Sequence, residues 1–276
     1  MKRRLLFLDL DGTLLNDAKQ ITDGNRQALQ RALEFGHGVI ITTGRPMKSA
    51  MEQARNLGLD QPGCFFIAYN GALIYDWAKK AQVYKRSLPV QTVIRLFRQA
   101  EKMGVHIQTY DTWDVLVEPR CDDTEVRRYC ELIRMDYKVI GDVANALQEE
   151  PVKCLAINYD RKDGLLAFQA WIRDNMAEEV DCFFSCDQYM EIVPKGMSKG
   201  DAVERLCRTL QVEIADAVAA GDAANDLTMI QAAGIGVAMA NAMDEVKAAA
   251  QYITKNDNNH DGIAEVVEQF FWEAAK

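Results

Sequence analysis

Short apolar runs separated by helical stretches recur at both ends of this chain, and few folds accommodate that alternation. Leu5–Leu8, Gly38–Thr42 and Cys64–Ala68 are apolar runs of strand length, the last ending at the turn signal Asn70-Gly71. Between them, Gln27–Phe35 carries Ala28, Leu29, Ala32 and Leu33 at helical spacing before Gly36, and Lys48–Leu57 is a second helix closed by Gly58. The C-terminal third repeats the pattern. Helices are expected over Gly200–Leu210, Asp226–Ala233, Asp244–Ala250 and Ile263–Phe271, and strands over Ala217–Ala220, Ile235–Met239 and Tyr252–Thr254. Strands joined by helices of this length cross over and lie parallel. The middle of the chain is looser. Helices over Val90–Met103, Glu125–Arg134 and Leu165–Met176 alternate with strands at Ile107–Thr109, Val115–Val117, Cys154–Asn158 and Cys182–Cys186, with longer polar links. A second, α+β domain is therefore expected over 84–189, inserted into a first domain formed by 1–83 and 190–276.

A length of 276 residues suits two domains. Lys and Arg total 32 against 41 Asp and Glu, a net charge of −9, which disfavours nucleic acid as a partner. An acidic chain that binds an anion must supply local positive charge from a cation, a helix N-terminus or a placed lysine. No apolar run approaches the ~18 residues that span a bilayer, so no membrane association is expected. Lys2-Arg3-Arg4 is followed by Asp9 and Asp11, which interrupt any signal-like apolar segment, so a cytoplasmic location is expected. The cysteines, Cys64, Cys121, Cys130, Cys154, Cys182, Cys186 and Cys207, are odd in number and contain no CxxC, and are read as free buried thiols. Cys182 and Cys186 would share one face of a strand. No zinc site is expected, because His37, His106 and His260 lie in no ligand-spaced cluster.

Four segments carry the chemistry. Asp9-Leu10-Asp11-Gly12-Thr13 follows the first strand directly, and alternation can aim both carboxylates to one side. Two close carboxylates at a strand's carboxyl end repel each other, and a hard cation relieves the repulsion. Thr42-Thr43-Gly44-Arg45-Pro46 follows the second strand, with a hydroxyl and backbone N–H groups suited to phosphate, or equally to capping the next helix. Lys199, just before a helix, is poorly placed for the helix dipole, which points to an anion partner; Lys195 is its rival. Gly221-Asp222-Ala223-Ala224-Asn225-Asp226 follows another strand, with Asp222 at its end. Together these supply a nucleophile, an acid/base, a metal cradle and an anion clamp.

These four segments resemble the motifs of the haloacid dehalogenase-like phosphatases, and more narrowly the Cof-type branch with its large α/β cap. Asn70-Gly71-Ala72, Gly234–Met239 and Asp261-Gly262-Ile263-Ala264 extend the resemblance across nearly the whole chain. The resemblance implies an α/β fold: a Rossmann-like parallel-sheet core with an inserted α+β cap domain. It implies a phosphatase acting on small phosphorylated metabolites such as sugar phosphates, with Asp9 attacking phosphorus to form an aspartyl-phosphate. Asp11 would protonate the leaving oxygen and then activate the hydrolytic water. Mg²⁺ would be held by Asp9, the Asp11 carbonyl and Asp222. Thr43, Gly44 and Lys199 would hold the phosphoryl group, with Leu10 and Asn225 as further contacts, and Asp226 would be a supporting carboxylate behind these or an indirect metal ligand. Arg45 would contact substrate or satisfy groups near the cleft, and both readings stay open. A phosphomutase and a non-catalytic phospholigand sensor are the alternatives. A monomer or small homo-oligomer is expected.

Other residues are expected to be structural. His260 sits in a polar loop, Phe270-Phe271-Trp272 packs a helix, Tyr110, Trp113 and Tyr129 pack the inserted domain, and Asp122-Asp123 forms a solvated turn.

Overall fold

The structure, a computed structural model, describes residues 2–111, 113–160 and 162–272. The outermost residues of the expected first domain, Met1 and 273–276, lie outside the described residues. The chain divides into two compact units, one formed by 1–44, 50–84 and 198–276 and the other by 45–49 and 85–197.

The first unit begins with β1 (Leu5–Leu8), α1 (Asp23–Glu34), β2 (Gly38–Thr42), α2 (Met47–Asn56, which starts in the other unit), β3 (Cys64–Ala68), β4 (Leu73–Asp76) and β5 (Ala81–Lys85). The second unit carries α3 (Val90–Met103), β6 (His106–Tyr110), β7 (Val115–Val117), α4 (Thr124–Ile133), β8 (Tyr137–Val139) and α5 (Val143–Ala146). It continues with β9 (Cys154–Ile157), α6 (Lys162–Met176), β10 (Val180–Cys186) and β11 (Tyr189–Pro194). The first unit resumes with α7 (Lys199–Leu210), β12 (Ala217–Gly221), α8 (Leu227–Ala232), β13 (Ile235–Ala238), α9 (Asp244–Ala249), β14 (Tyr252–Ile253) and α10 (Gly262–Phe270).

The first unit's sheet has the order β14-β13-β12-β1-β2-β3-β4-β5. β1 lies between β12 and β2, parallel to both, with Leu5 opposite Ala217 and Gly38 and Leu8 opposite Ala220 and Ile41. All four residues of β1 are fully buried, as a parallel strand covered on both faces requires. The crossovers therefore leave β1 towards β2 on one side while β12 lies on the other. The carboxyl ends of these three adjacent strands form a topological switch point, where such sheets bind ligands. β4 and β5 were not apparent in the sequence. β4 returns antiparallel to β3 through Tyr69, Asn70 and Gly71, all with positive φ (53°, 55° and 115°). Only Gly71 adopts this region without steric cost, so the reversal is a constrained feature.

The second unit has a six-stranded sheet of order β10-β11-β9-β6-β7-β8, antiparallel except for β7 with β8. One core packs Val93, Leu96 and Phe97 of α3 and Leu165, Phe168 and Ile172 of α6 with Ile107, Ala156 and Met190 from the sheet. Alternation then sends His106, Gln108 and Tyr110 of β6 to the opposite face. The sequence boundary at 189/190 falls at the start of β11. That strand pairs with β9 and β10, so the chain remains in this sheet to Pro194. All seven cysteines are free, but Cys182 is half-buried and Cys186 exposed. The ladder shifts register between Phe184 and Cys186, which undoes the simple same-face spacing of the two. Trp113 is exposed, whereas Tyr110 and Tyr129 are buried.

Candidate active site

Asp9 leaves the end of β1 with its N–H donating to the Ala220 carbonyl of β12 at 3.2 Å. Asp222 leaves β12 beside it. Gly12, with φ of +83°, lets the loop after β1 pass so close to Asp222 that any β-carbon there would meet the Asp222 carboxylate. Thr13 Oγ1 donates to Asp222 Oδ1 at 2.7 Å, which fixes that carboxylate. Oxygens of Asp9, Asp222 and Asp226 lie within 4.8 Å of one another. The Asp226 carboxylate thus joins the Asp9 and Asp222 carboxylates in one cluster.

Lys199, the first residue of α7, is fully buried and bridges Asp9 Oδ1 and Asp226 Oδ1, each at 2.6 Å. Ser198 caps this helix by accepting from the Asp201 N–H at 3.1 Å. Gly200 lets α7 approach α8, since a β-carbon there would meet the Thr228 carbonyl. Lys195, the rival lysine, is half-exposed and pairs with Asp181 at 2.9 Å. Asp226 is fully enclosed. Its Oδ2 accepts from the N–H groups of Asp222 (3.0 Å) and Ala223 (3.1 Å), and its Oδ1 takes Lys199. Both oxygens are thus engaged in holding the loop and the lysine. Sequence reasoning anticipated a supporting carboxylate here, but not that one side chain fixes both the β12 loop and the ammonium.

Three carboxylates against one ammonium leave the cluster with excess negative charge. Burial raises the Asp9 pKa to about 8; Lys199 opposes the rise, and Asp226 and Asp222 reinforce it. Burial also raises Asp222 to about 6, with the Thr13 hydrogen bond opposing and the Asp226 charge reinforcing. Burial penalises the Lys199 ammonium, but the Asp226 and Asp9 carboxylates outweigh it and hold its pKa above the ordinary lysine value. Lys199 therefore stays charged. An all-oxygen donor set with unbalanced negative charge fits a hard divalent cation.

Asp11 projects from the same loop and is more open. Its carboxylate pairs with Lys19 at 2.8 Å, with its side chain 39% exposed. Thr43 is buried at the end of β2; its N–H donates to the Ile67 carbonyl (2.9 Å) and its carbonyl accepts from the Asn70 N–H (3.0 Å). Gly44 follows against the Asn70 side chain, whose Oδ1 is buried without a hydrogen-bond partner among the described residues. Leu10 is buried in the turn after β1, and Asn225 is half-buried in the turn before α8. Arg45 begins the short segment assigned to the second unit. His260 is exposed and pairs with Asp257, as a polar loop predicts.

Over residues 6–267 the chain matches the haloacid dehalogenase-like hydrolases. It belongs to that family. A 5-amino-6-(5-phospho-D-ribitylamino)uracil phosphatase of Bacillus subtilis is 30% identical, the match covering 98% of each chain. A pyridoxal phosphate phosphatase of Escherichia coli is also 30% identical, over 97% of this chain and 98% of its own length. The crystal structure of a haloacid dehalogenase-like hydrolase from Bacteroides thetaiotaomicron superposes with a TM-score of 0.87 at 32% identity, covering 97% of this chain and 99% of that one. The α/β fold with a second, smaller sheet is that of the family, and the chain is a phosphatase of this class. Among the described residues, no helix is long and apolar enough to cross a membrane.

Proposed function

We propose that this chain is a Mg²⁺-dependent phosphatase that hydrolyses small phosphorylated metabolites, sugar phosphates among them, through a phosphoaspartate on Asp9. The observation that carries the reading is the buried Lys199 bridge between Asp9 and Asp226 beside Asp222. A phosphate dianion approaches a carboxylate nucleophile only where fixed positive charge offsets the repulsion. Lys199 supplies one such charge, held in place by Asp226. Asp9, Asp222 and the Asp11 carbonyl would hold Mg²⁺, which when bound would supply the remaining charge and favour ionised Asp9. Because both Asp226 oxygens are engaged, its role is to position Lys199 and Asp222.

In the first step an Asp9 oxygen attacks phosphorus and the ester bond to the leaving oxygen breaks, with Asp11 donating its proton to that oxygen. In the second, Asp11 takes a proton from water, which attacks phosphorus and frees Asp9. The relative exposure of Asp11 suits a group that must exchange protons in both steps. Thr43, the Gly44 backbone and Lys199 hold the phosphoryl oxygens, with Leu10 and Asn225 at its margin. The first unit serves as the catalytic core and the second as the cap of the family. A cytoplasmic enzyme, monomeric or a small homo-oligomer, completes the reading.

The test is phosphate release from a panel of phosphorylated metabolites, with Mg²⁺ and with chelator, for wild type and Asp9→Asn. Metal-dependent release lost in the variant is the expected result. Turnover retained by folded Asp9→Asn, or release indifferent to chelator, overturns the assignment.

A further inference from the structure

We propose that His106, Cys121 and Asp123 form a second metal site, in the second unit, for a borderline-soft divalent ion of the zinc class. An imidazole nitrogen, the Cys121 sulfur and a carboxylate oxygen lie within 4.8 Å of one another. His37 and His260 do not join them; the fold collects its ligands from β6, the short turn Pro119–Cys121 and the cap of α4, a set the linear spacing did not reveal. Asp123 is no solvated turn: its Oδ1 caps α4 by accepting from the Val126 N–H at 3.2 Å, and its Oδ2 faces His106 Nδ1 at 2.9 Å.

The hydrogen-bond chain behind His106 shows what its ring must carry. Tyr110 donates its hydroxyl proton to Tyr129 at 2.8 Å, so its oxygen accepts from Gln108 Nε2 at 3.0 Å. That orients Gln108 Oε1 towards His106 Nε2 at 3.4 Å, and an N–H is required there. Nδ1 is then left against a carboxylate oxygen. A bare lone pair would be repelled, so Nδ1 holds either a second proton or a cation. Burial opposes the imidazolium, while Asp123 and Cys121 favour it and hold the pKa at about 9. The proton leaves Asp123 and Cys121 as outer partners of the ring, whereas a zinc-class ion binds all three donors directly. The ring N–H to Gln108 is the outer hydrogen bond that metal-bound histidines commonly make.

The frame is firm. Arg120 donates to the Val105 (3.1 Å) and Phe97 (3.3 Å) carbonyls, and the Cys121 N–H donates to the Glu118 carbonyl at 2.8 Å. His106 and Cys121 are buried, while the Asp123 side chain is 33% exposed and offers an entry side. Tetrahedral ligation at ordinary Zn–N and Zn–O lengths separates two ligand atoms by about 3.3 Å, a few tenths more than the present His106–Asp123 distance. Thiol and imidazole donors select such an ion over Mg²⁺. Binding releases the thiol proton, and the second imidazole proton where present, to solvent.

The test titrates the metal-free full chain with Co²⁺ alone. One equivalent should produce a thiolate-to-cobalt absorption band that is lost in Cys121→Ser and kept in Asp222→Asn. Zn²⁺ should displace the Co²⁺ and bind Cys121→Ser at least about 100-fold more weakly than wild type. A band that is absent, or unchanged in folded Cys121→Ser, overturns the proposal. In wild type, ring-nitrogen NMR of His106 provides a variant-free reading. With Zn²⁺ in excess, Nδ1 should lose its proton signature, and an imidazolium with both nitrogens protonated overturns the site.

Discussion

Replacing Lys199 by Met tests the electrostatic account of the cluster. The ammonium is fully buried and contacts two carboxylates at 2.6 Å each, with a third in the same cluster. Methionine fills similar volume, so the change removes charge while leaving little cavity. Breaking a buried pair from one side costs about 3–5 kcal/mol. That is roughly 6–20 °C in Tm for a unit of this size. The loss should depend on pH, and its sign is fixed. Without Lys199, Asp222 is raised further than the about 6 it has beside the ammonium and so further above its unfolded value of 3.8, and over that interval the folded variant binds a proton that folded wild type does not. Stability conferred by such a group is present at low pH and lost as pH rises through the folded value. The deficit relative to wild type should therefore be full at pH 8 and narrow towards pH 5, by up to about 1.4 kcal/mol per pH unit for one additional retained proton. Urea unfolding in EDTA, followed by fluorescence and circular dichroism, measures it. Adding Asp226→Asn should recover part of the loss, because the two residues share one network. A deficit below about 1 kcal/mol at pH 8, or an equal deficit at pH 5, refutes the reasoning.

Thr13→Val should remove the bond to Asp222, costing about 1.5–3 kcal/mol for a hydrogen bond to a charged acceptor and weakening divalent-cation affinity; calorimetry of Mg²⁺ binding checks it. Gly12→Ala combines a positive φ with a collision against the Asp222 carboxylate, so activity should fall at least about tenfold in a steady-state phosphate-release assay. In metal-free protein, His106→Gln should be most destabilising below the unfolded imidazole pKa of 6.5. The deficit should shrink as pH rises through about 9, as thermal melts across that range will read, because the raised folded-state pKa means the proton supports the fold only while it is bound.

The first unit was legible because its signals are local. β1, β2 and β3 are buried on both faces, so their sequences are continuous apolar runs bounded by glycine or polar turns, and their expected limits match those found. α1 begins earlier than its apolar periodicity suggests, at Asp23, because its first turn carries no apolar residue: Asp23 and Arg26 are exposed, and the buried Asn25 is polar. Asn70-Gly71 marked the reversal, but β4 is only four residues long and β5 is exposed to half-buried, so neither carries the apolar run that marks β1 to β3. The second unit was harder. Its sheet sets an apolar face on the helices and a polar one on the other side, and β8 and β11 alternate too briefly or too irregularly to stand out.

The same contrast explains which site residues could be read. Asp9, Thr43 and Asp222 each follow an apolar strand directly, and three adjacent parallel strands then bring their ends together without further instruction. Lys199 has no such marker; its burial follows from α7 packing, and its misfit with the helix dipole was the trace left in the sequence. Asp226 shows the limit of that reasoning. Read alone, it is a polar residue opening a helix; in the fold it accepts two backbone N–H groups and the ammonium together. One carboxylate thereby couples the loop after β12 to the lysine of α7, so neutralising Asp226 should displace both Asp222 and Lys199. This is why a residue whose oxygens are already engaged can matter to the chemistry as much as one that touches phosphorus.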